Sequence, residues 1–256
     1  MKSVEESVVM ALDGGSNPAI FPYLSYILQD LWEMGADPET VIQVIGRHFP
    51  NPHEVNMLDL GCGKGAVSIQ VAHRFRCRCH GIDAVSAFIQ EADNKAAAYG
   101  VEDLCRFQVG DIREMLDQLS VYEVILQGAI GPILGNYENT LIRLEPHMKE
   151  EGLIIIDDAY IEGDSDFRHP LILPFPELAR QVNAAGFRIE ENLVLKGEAV
   201  EEAEVHLFEP LKIRCLELAE RYPEKKSLFL DYIKNQEYEG KVNARHAVCT
   251  TLVLKK

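Results

Sequence analysis

The chain has 256 residues, of which 47% are hydrophobic and 26% are charged, and this supplies enough apolar side chains for one large domain core. Its 41 acidic residues against 25 lysines and arginines give a formal net charge of −16. This charge disfavours a nucleic-acid partner, because proteins that bind a polyanion usually present a basic face. No apolar run approaches the roughly 20 residues that cross a bilayer, so we expect a cytoplasmic protein without a membrane partner.

The six cysteines do not form a recognisable metal-binding pattern. Cys77 and Cys79 are the one close pair, whereas zinc frameworks usually show two separated pairs. Both cysteines fall beside a predicted strand and point to one of its faces. We therefore expect buried, reduced thiols and no bound metal.

Two helical patterns precede the first predicted strand. They run from Tyr23 to Met34 and from Pro38 to Phe49. Asp37 is placed to cap the second helix, and Pro38 suits its first turn. We interpret residues 1–50 as an N-terminal helical lid segment.

From residue 55 onward, short apolar strands alternate with helical segments. The predicted strands are Val55–Leu60, Arg78–Ile82, Cys105–Val109, Tyr122–Leu126, Gly152–Asp157, Phe187–Leu195 and Ala247–Leu254. The predicted helices between them are Ala66–Arg74, Ala84–Tyr99, Asp111–Leu119, Tyr137–Leu144 and Pro176–Ala185. This alternation predicts an α/β fold with a doubly wound, mostly parallel sheet.

A further helical pattern lies between the sixth and the last predicted strand. Leu211, Cys215, Leu218 and Tyr222 recur at helical spacing, and a similar pattern follows Pro223. We therefore divide the chain into the lid segment, a core of residues 51–200 plus 244–256, and a helical insertion at residues 201–243. We expect this insertion to cap the sheet.

A glycine-rich turn follows the first strand, in Asp59-Leu60-Gly61-Cys62-Gly63-Lys64-Gly65. Glycine allows a sharp turn and lets a ligand lie against the main chain, where the next helix also points its free N–H groups. The pattern Gly61-x-Gly63-x-x-Ala66 also fits a dinucleotide fingerprint, so a nicotinamide-dependent oxidoreductase is a competing prediction. Asp59 argues against it, because that strand is normally apolar and a buried carboxylate needs a partner, such as a ligand ammonium or amide group.

Two more carboxylates stand at the ends of predicted strands. Asp83 ends the second strand, where it can accept hydrogen bonds from a ribose diol. Asp111 ends the third strand, where it can meet an adenine amino group. Together with Asp59, these carboxylates fit a ligand with an amino acid, a ribose and an adenine in a row.

On these motifs the chain resembles the class I S-adenosylmethionine-dependent methyltransferases, over about residues 54–195 and the closing strand. The matching stretches are Asp59–Gly65, Gly81–Asp83, Gly110–Ile112, Glu151–Asp158 and Ala185–Phe187. The resemblance implies a seven-stranded sheet with an antiparallel last strand beside the sixth, and S-adenosylmethionine as cofactor. It also implies that the glycine-rich loop passes the methionine moiety. The implied cofactor-binding residues are Asp59, Gly61, Cys62, Gly63, Asp83, Ala84, Gly110, Asp111, Ile112 and Gln127.

Methyl transfer from a sulfonium is an in-line displacement that depends mainly on alignment. Positioning alone contributes about 7–11 kcal/mol, so no nucleophilic side chain is required. A general base is needed where the acceptor must lose a proton. The sequence therefore fixes no catalytic residue, and we keep Asp158, Tyr160 and Tyr23 as candidates. Two further residues are left open. His169 either faces the acceptor or is a solvated loop residue, and Tyr26 either closes over the pocket or is a packing residue.

The adjacent Asp157 and Asp158 end the fifth predicted strand, at the sheet edge where ligands bind in open α/β folds. They are interpreted as a substrate clamp or base, as a cap for the next turn, or as part of a divalent-metal site resembling that of the catechol O-methyltransferases. Gln127 stands where that family needs a carboxylate, which argues against a metal.

The loop after the fourth strand lacks the Asn/Asp-Pro-Pro-aromatic motif of the nucleobase and glutamine N-methyltransferases. This absence favours a small-molecule acceptor. A cofactor-binding protein without turnover is the non-enzymatic alternative. The sequence leaves the identity of the acceptor and the formation of a homodimer open.

Overall fold

The computed structural model describes residues 2–13, 17–195 and 198–256, and its centre is a seven-stranded sheet. The strands are β1 (Asn56–Leu60), β2 (Arg78–Asp83), β3 (Cys105–Val109), β4 (Tyr122–Gly128), β5 (Met148–Tyr160), β6 (Arg188–Val194) and β7 (Val248–Lys255). Their order in the sheet is β3-β2-β1-β4-β5-β7-β6, mostly parallel with the last strand antiparallel. The predicted fold class is therefore confirmed, including the insertion of β7 beside β6.

Helices connect these strands in the predicted alternation. They are α1 (Val4–Asp13), α2 (Leu24–Ile27), α3 (Pro38–His48), α4 (Ala66–Phe75), α5 (Ser86–Ala98), α6 (Ile112–Met115), α7 (Tyr137–Leu144), α8 (Phe175–Ala184), α9 (Glu198–Arg221) and α10 (Lys226–Arg245). Helix α3 begins as predicted, because the Asp37 carboxylate accepts a hydrogen bond from the Thr40 amide at 2.8 Å. In the described part of the chain, none of the helices combines the length and apolar character of a membrane span.

The N-terminal region differs from the prediction. We predicted one helix from Tyr23 to Met34. The structure instead has a 3₁₀ helix at Pro18–Tyr23 followed by the short α2, which ends at Ile27, so the prediction is wrong beyond Ile27. Helix α1 was missed, although its start carries a capping box. The Ser3 hydroxyl accepts from the Glu6 amide at 3.1 Å, and the Glu6 carboxylate accepts from the Ser3 amide at 2.7 Å.

Two element lengths also differ. Strand β5 begins four residues before the predicted start. The prediction missed these residues because Lys149, Glu150 and Glu151 are exposed and show no apolar pattern. The helix predicted from Asp111 to Leu119 is a short α6 followed by a 3₁₀ turn, Leu116–Gln118. In both places tertiary pairing, rather than local periodicity, sets the boundary.

Contacts divide the chain into two compact units. The first comprises Met1–Leu31, Ala159–Phe175 and Val194–Thr250, and the second comprises Trp32–Asp158, Pro176–Leu193 and Thr251–Lys256. In the second unit, apolar side chains of α3, α4 and the central strands form one core. In the first unit, α9 and α10 bury residues that include Leu211, Cys215, Phe229 and Tyr232.

The predicted lid and cap roles of residues 1–50 and 201–243 stay predictions. Residues 1, 14–16, 196 and 197, which fall within the predicted lid and core segments, lie outside the described residues. The five cysteines at 62, 77, 79, 105 and 215 are buried and Cys249 is partly buried, all as free thiols.

Candidate functional site

The glycine-rich loop between β1 and α4 requires glycine for both conformation and space. Gly61, Gly63 and Gly65 have φ angles of 74°, 52° and 74°, in the left-handed region. A Cβ atom on Gly61 would lie 2.2 Å from Cγ2 of Ile130, and one on Gly65 would lie 2.8 Å from the Phe107 ring. Side chains at these positions would therefore both strain the backbone and collide with Ile130 or Phe107.

Asp59 is buried at the end of β1 with 3% of its surface exposed. Its carboxylate accepts a hydrogen bond from the Ser68 hydroxyl of α4 at 2.7 Å. Burial and, to a smaller extent, the charge of Asp83 raise the pKa of Asp59 to about 6, although the hydrogen bond from Ser68 lowers it. The partner that a buried carboxylate requires is thus supplied in part by Ser68.

Asp83 ties the end of β2 to the glycine-rich loop. One carboxylate oxygen accepts from the Gly63 amide at 2.9 Å, and the other accepts from the Val85 amide at 2.8 Å. Burial raises the pKa of Asp83. Each carboxylate oxygen has a second lone pair, so the group can also accept from a diol. Ala84, which follows it, is half-buried.

Asp111 lies after β3 and caps α6. It accepts from the Arg113 amide at 2.9 Å and pairs with the Arg113 guanidinium at 2.6 Å. Hydrogen bonding from that guanidinium lowers the pKa of Asp111. Ile112 is buried, and a Cβ atom on Gly110 would lie 2.0 Å from the sulfur of Met115. The predicted adenine contact of Asp111 therefore shares its carboxylate with Arg113, a partner that the sequence analysis missed.

Gln127, near the end of β4, has 5% of its surface exposed. Its side-chain nitrogen donates to the Gly131 carbonyl at 3.3 Å. Its side-chain oxygen, Oε1, is buried and has no hydrogen-bond partner. Leaving a buried acceptor unsatisfied costs about 1–3 kcal/mol, and this oxygen can still accept a hydrogen bond.

Contacts that the sequence analysis did not predict hold the glycine-rich loop in place. The Lys64 side chain has 1% of its surface exposed, and its ammonium lies 3.0 Å from the Glu91 carboxylate. The indole N–H of Trp32 donates to the Lys64 carbonyl at 3.1 Å. Cys62 is buried, and its sulfur would lie 2.7 Å from a Cβ atom on Gly81, so it packs under the loop. No local pattern identifies these contacts, since they join distant segments.

The end of β5 carries two carboxylates with hydroxyl partners. Asp157 accepts from the Thr251 hydroxyl at 2.7 Å, and Asp158 accepts from the Tyr137 hydroxyl at 2.7 Å. Burial, with smaller contributions from the charges of Asp158 and Asp37, raises the pKa of Asp157 to about 6, although the hydrogen bond from Thr251 lowers it. Burial, together with the charge of Asp158, raises the pKa of Tyr137 well above its usual value. Tyr137 was not anticipated from the sequence.

The other candidate acceptor-facing residues lie in the first unit. The Tyr23 hydroxyl accepts from the Lys225 ammonium at 2.7 Å, and its ring packs edge-on against Phe229 at 5.0 Å. Tyr160 is buried beside Phe175, with ring centroids 4.7 Å apart. The Tyr26 hydroxyl donates to a Glu217 carboxylate oxygen at 2.7 Å, and the ring of His169 stacks on that of Phe167 at 6.4 Å. These contacts give all four residues packing roles, and their participation in catalysis stays a prediction.

Over residues 2–13, 17–195 and 198–256, no group of three or more His, Cys, Asp or Glu side chains is arranged to hold a metal ion.

Residues 52–207, more than half of the chain, match the family described as "Methyltransferase domain". The chain therefore belongs to this methyltransferase-domain family. The resemblance drawn from the strand-end motifs is confirmed at the level of the family.

Individual relatives match over shorter or more distant stretches. Ajmaline N-methyltransferase of Rauvolfia serpentina is 35% identical over 81 residues, which span 30% of this chain and 28% of that enzyme. The structure of a SAM-dependent methyltransferase from Geobacter sulfurreducens in complex with S-adenosyl-L-homocysteine has a TM-score of 0.74 at 19% identity, covering 93% of this chain and 98% of that one. The [4+2]-cyclase SpnF has a TM-score of 0.69 at 16% identity, covering 93% and 92%. These structures share the fold.

Proposed function

We propose that this chain is an S-adenosylmethionine-dependent methyltransferase that acts on a small molecule. The observation that carries the proposal is the glycine-rich loop of left-handed glycines, joined to the end of β2 through Asp83, in a chain of the methyltransferase-domain family. The complex of the Geobacter neighbour with S-adenosyl-L-homocysteine supports the choice of cofactor.

The cofactor is assigned along the ends of four neighbouring strands. Gly61, Cys62 and Gly63, with Asp59 beneath them, form the side for the methionine moiety. Asp83 and Ala84 are assigned to the ribose. Gly110, Asp111 and Ile112 are assigned to the adenine, and Gln127 borders the methionine side from β4, the neighbour of β1. The assigned parts of the cofactor thus follow the order of the strands in the sheet, which is β3-β2-β1-β4.

When bound, the cofactor would supply a methyl group on a sulfonium, and a lone pair of the acceptor would attack the methyl carbon in line with the departing sulfur. The protein contributes mainly position, because Asp83 and the close approach of the glycine-rich main chain hold the ligand in one place relative to the sheet. Asp59 places negative charge beneath the loop, where a cationic ligand is favoured. Each residue assigned to the cofactor lies in the second compact unit.

The acceptor is proposed to be a small molecule rather than a nucleic acid. The formal net charge of −16 opposes binding of a polyanion, and the ajmaline N-methyltransferase match adds a relative named for a small-molecule acceptor. The cytoplasmic location and the homodimer considered from the sequence stay predictions.

A cofactor-binding protein without methyl transfer is the second candidate. The structural similarity to a [4+2]-cyclase supports keeping it, since one fold can carry different reactions. A nicotinamide-dependent oxidoreductase is less well supported, because the buried Asp59 interrupts the apolar strand and the family match is to a methyltransferase domain.

The test is calorimetric titration with S-adenosylmethionine, S-adenosylhomocysteine and NAD in parallel. We expect micromolar binding of both sulfur nucleotides and none of NAD. The single tryptophan gives an independent signal, because Trp32 is bonded to the Lys64 carbonyl in the loop. Binding of NAD alone would overturn the proposal, and cofactor binding without turnover over a broad acceptor panel would favour the second candidate.

A further inference from the structure

Polar side chains line up where β4 and β5 end side by side. Gln127 of β4 pairs in register with Ile156 of β5, and Gly128 pairs with Asp157. Because side chains alternate along a strand, Gln127, Ile156 and Asp158 lie on one face of the sheet. The buried amide of Gln127 and the carboxylate of Asp158 are therefore diagonal neighbours on the same surface.

The Gln127 amide identifies this place as one that faces a ligand. Its nitrogen is used by the Gly131 carbonyl, while the buried Oε1 has no partner. An amide oxygen accepts hydrogen bonds and does not donate them. The missing partner is therefore a donor, which means an N–H or O–H group.

The electrostatic surroundings of this strand end are negative. Asp158 accepts from the Tyr137 hydroxyl, and Asp157 accepts from the Thr251 hydroxyl, each at 2.7 Å. The charged neighbours that raise the pKa of Asp157 are Asp158 and Asp37, and those that raise the pKa of Tyr137 are Asp158 and Asp157. A cation brought here is attracted to these carboxylates, whereas an anion is repelled.

We propose that this strand end, formed by Gln127, Tyr137 and Asp158 with the charge of Asp157 close behind them, binds a cationic amine, so that the methyl acceptor is a basic nitrogen rather than a hydroxyl or a carboxylate. The inference rests on the proposed function, because it names the acceptor class of the same methyl-transfer site. An ammonium group supplies N–H donors to Gln127 and a positive charge to the two carboxylates. A hydroxyl would supply the donor alone, and a carboxylate would supply neither.

The chemistry requires the bound ammonium to lose one proton before it reacts. The proton passes to the Asp158 carboxylate, which lies on the same face as Gln127, and then to water. The nitrogen lone pair forms the new N–C bond with the methyl carbon. The C–S bond breaks with its electron pair remaining on sulfur, which cancels the sulfonium charge.

The experiment uses three probes of similar shape and different charge: N-methylbenzylamine, benzyl alcohol and benzoate. Their binding to the full chain saturated with S-adenosylhomocysteine is measured by NMR titration. We expect the amine to bind about tenfold more tightly than benzoate and more tightly than the alcohol. Equal or tighter binding of benzoate or the alcohol overturns the inference, as does no detectable binding of the amine.

Variants locate the charge that is responsible. Asp158→Asn keeps the shape and removes one charge, and we expect it to weaken amine binding about tenfold. Glu150→Gln is the matched control, since it removes one charge from the exposed start of the same strand and should change amine binding by less than about twofold. Unchanged amine binding in Asp158→Asn would contradict the proposed role.

A second variant keeps the test informative where Asp158→Asn fails to fold. Gln127→Leu removes the unsatisfied oxygen, so we expect weaker binding of the amine and of the alcohol together with a higher melting temperature. Unchanged binding of both probes would overturn the role of Gln127. Calorimetry with S-adenosylhomocysteine on the wild-type chain distinguishes failure of the proposed function from failure of this inference. Failure of that nucleotide to bind refutes the proposed function, whereas nucleotide binding without amine preference refutes this inference alone.

Discussion

Asp83 connects β2 to the glycine-rich loop and is also the proposed ribose ligand, so it gives the sharpest single-residue test of the cofactor assignment. Its two oxygens already accept from the Gly63 and Val85 amides, which orders the loop before any ligand arrives. A ribose diol would add to these bonds rather than replace them. A neutral side chain at this position therefore weakens two connections at once.

We predict that Asp83→Ala lowers the affinity for S-adenosylhomocysteine by about a hundredfold, because hydrogen bonds to a charged group contribute about 1.5–3 kcal/mol each. Calorimetry measures the affinity. Asp117→Asn, which removes an exposed carboxylate, is the control and should bind like the wild type. An unchanged affinity of Asp83→Ala would remove the ribose contact from the assignment.

Asp59 gives a prediction on stability, because burial raises its pKa to about 6. Between about pH 4 and pH 6 the folded state holds a proton that the unfolded chain, with a pKa of about 3.9, has lost. This contribution to the free energy of unfolding is therefore full below pH 4 and is lost as the pH rises to about 6. Asp157, also raised to about 6, acts in the same direction in the wild type and in an Asp59 variant.

We predict that Asp59→Asn raises the free energy of unfolding at pH 7 by about 2 kcal/mol and has little effect at pH 4. Urea denaturation at a series of pH values measures the difference between variant and wild type. The same variant should bind S-adenosylhomocysteine less tightly, because the negative charge beneath the loop is lost. A variant that is less stable than the wild type at pH 7 would mean that the bond from Ser68 outweighs the cost of burying the charge.

At the scale of elements, the turn between β1 and α4 was predictable because its signal is local. A strand, alternating glycines and a helix follow one another within a few residues, and the left-handed φ angles of Gly61, Gly63 and Gly65 explain the glycines. The partners of the site were not predictable in the same way. Asp158 meets Tyr137 through the packing of a helix against a strand, and Ser68 meets Asp59 from the next helix.

The glycine-rich loop also separates steric from conformational cost. We predict that Gly61→Ala lowers the free energy of unfolding by about 2–4 kcal/mol, since the new methyl carbon would lie 2.2 Å from Ile130 in addition to adopting a positive φ. Gly100→Ala is the matched control, with a φ of 64° and nothing within 4 Å. It should cost about 1 kcal/mol. Equal losses in thermal unfolding of the two variants would show that Ile130 moves aside.

At the scale of the whole molecule, the sequence gives the net charge directly but does not show where the charged side chains come together in the fold. The net charge of −16 excluded no fold, but it disfavoured polyanionic partners. Where negative charge gathers depends on the sheet register, which places Asp157 beside Gly128 and brings Asp158 to the face of Gln127. The composition thus disfavoured polyanionic partners, and the proposed amine site at the end of β5 is one place where this negative charge would act.

Because the chain is strongly negative, salt should weaken the binding of a cationic acceptor. Raising the salt concentration from about 0.01 M to about 1 M shortens the Debye length from about 30 Å to about 3 Å, so attraction from distant acidic residues is screened. We expect the dissociation constant of N-methylbenzylamine to rise about tenfold over this range, while that of uncharged benzyl alcohol changes by less than about twofold. NMR titration of both probes in the same buffers measures the difference. A salt-independent amine affinity would mean that the carboxylates at the end of β5 act at contact distance and that the net charge of the chain contributes nothing to acceptor binding.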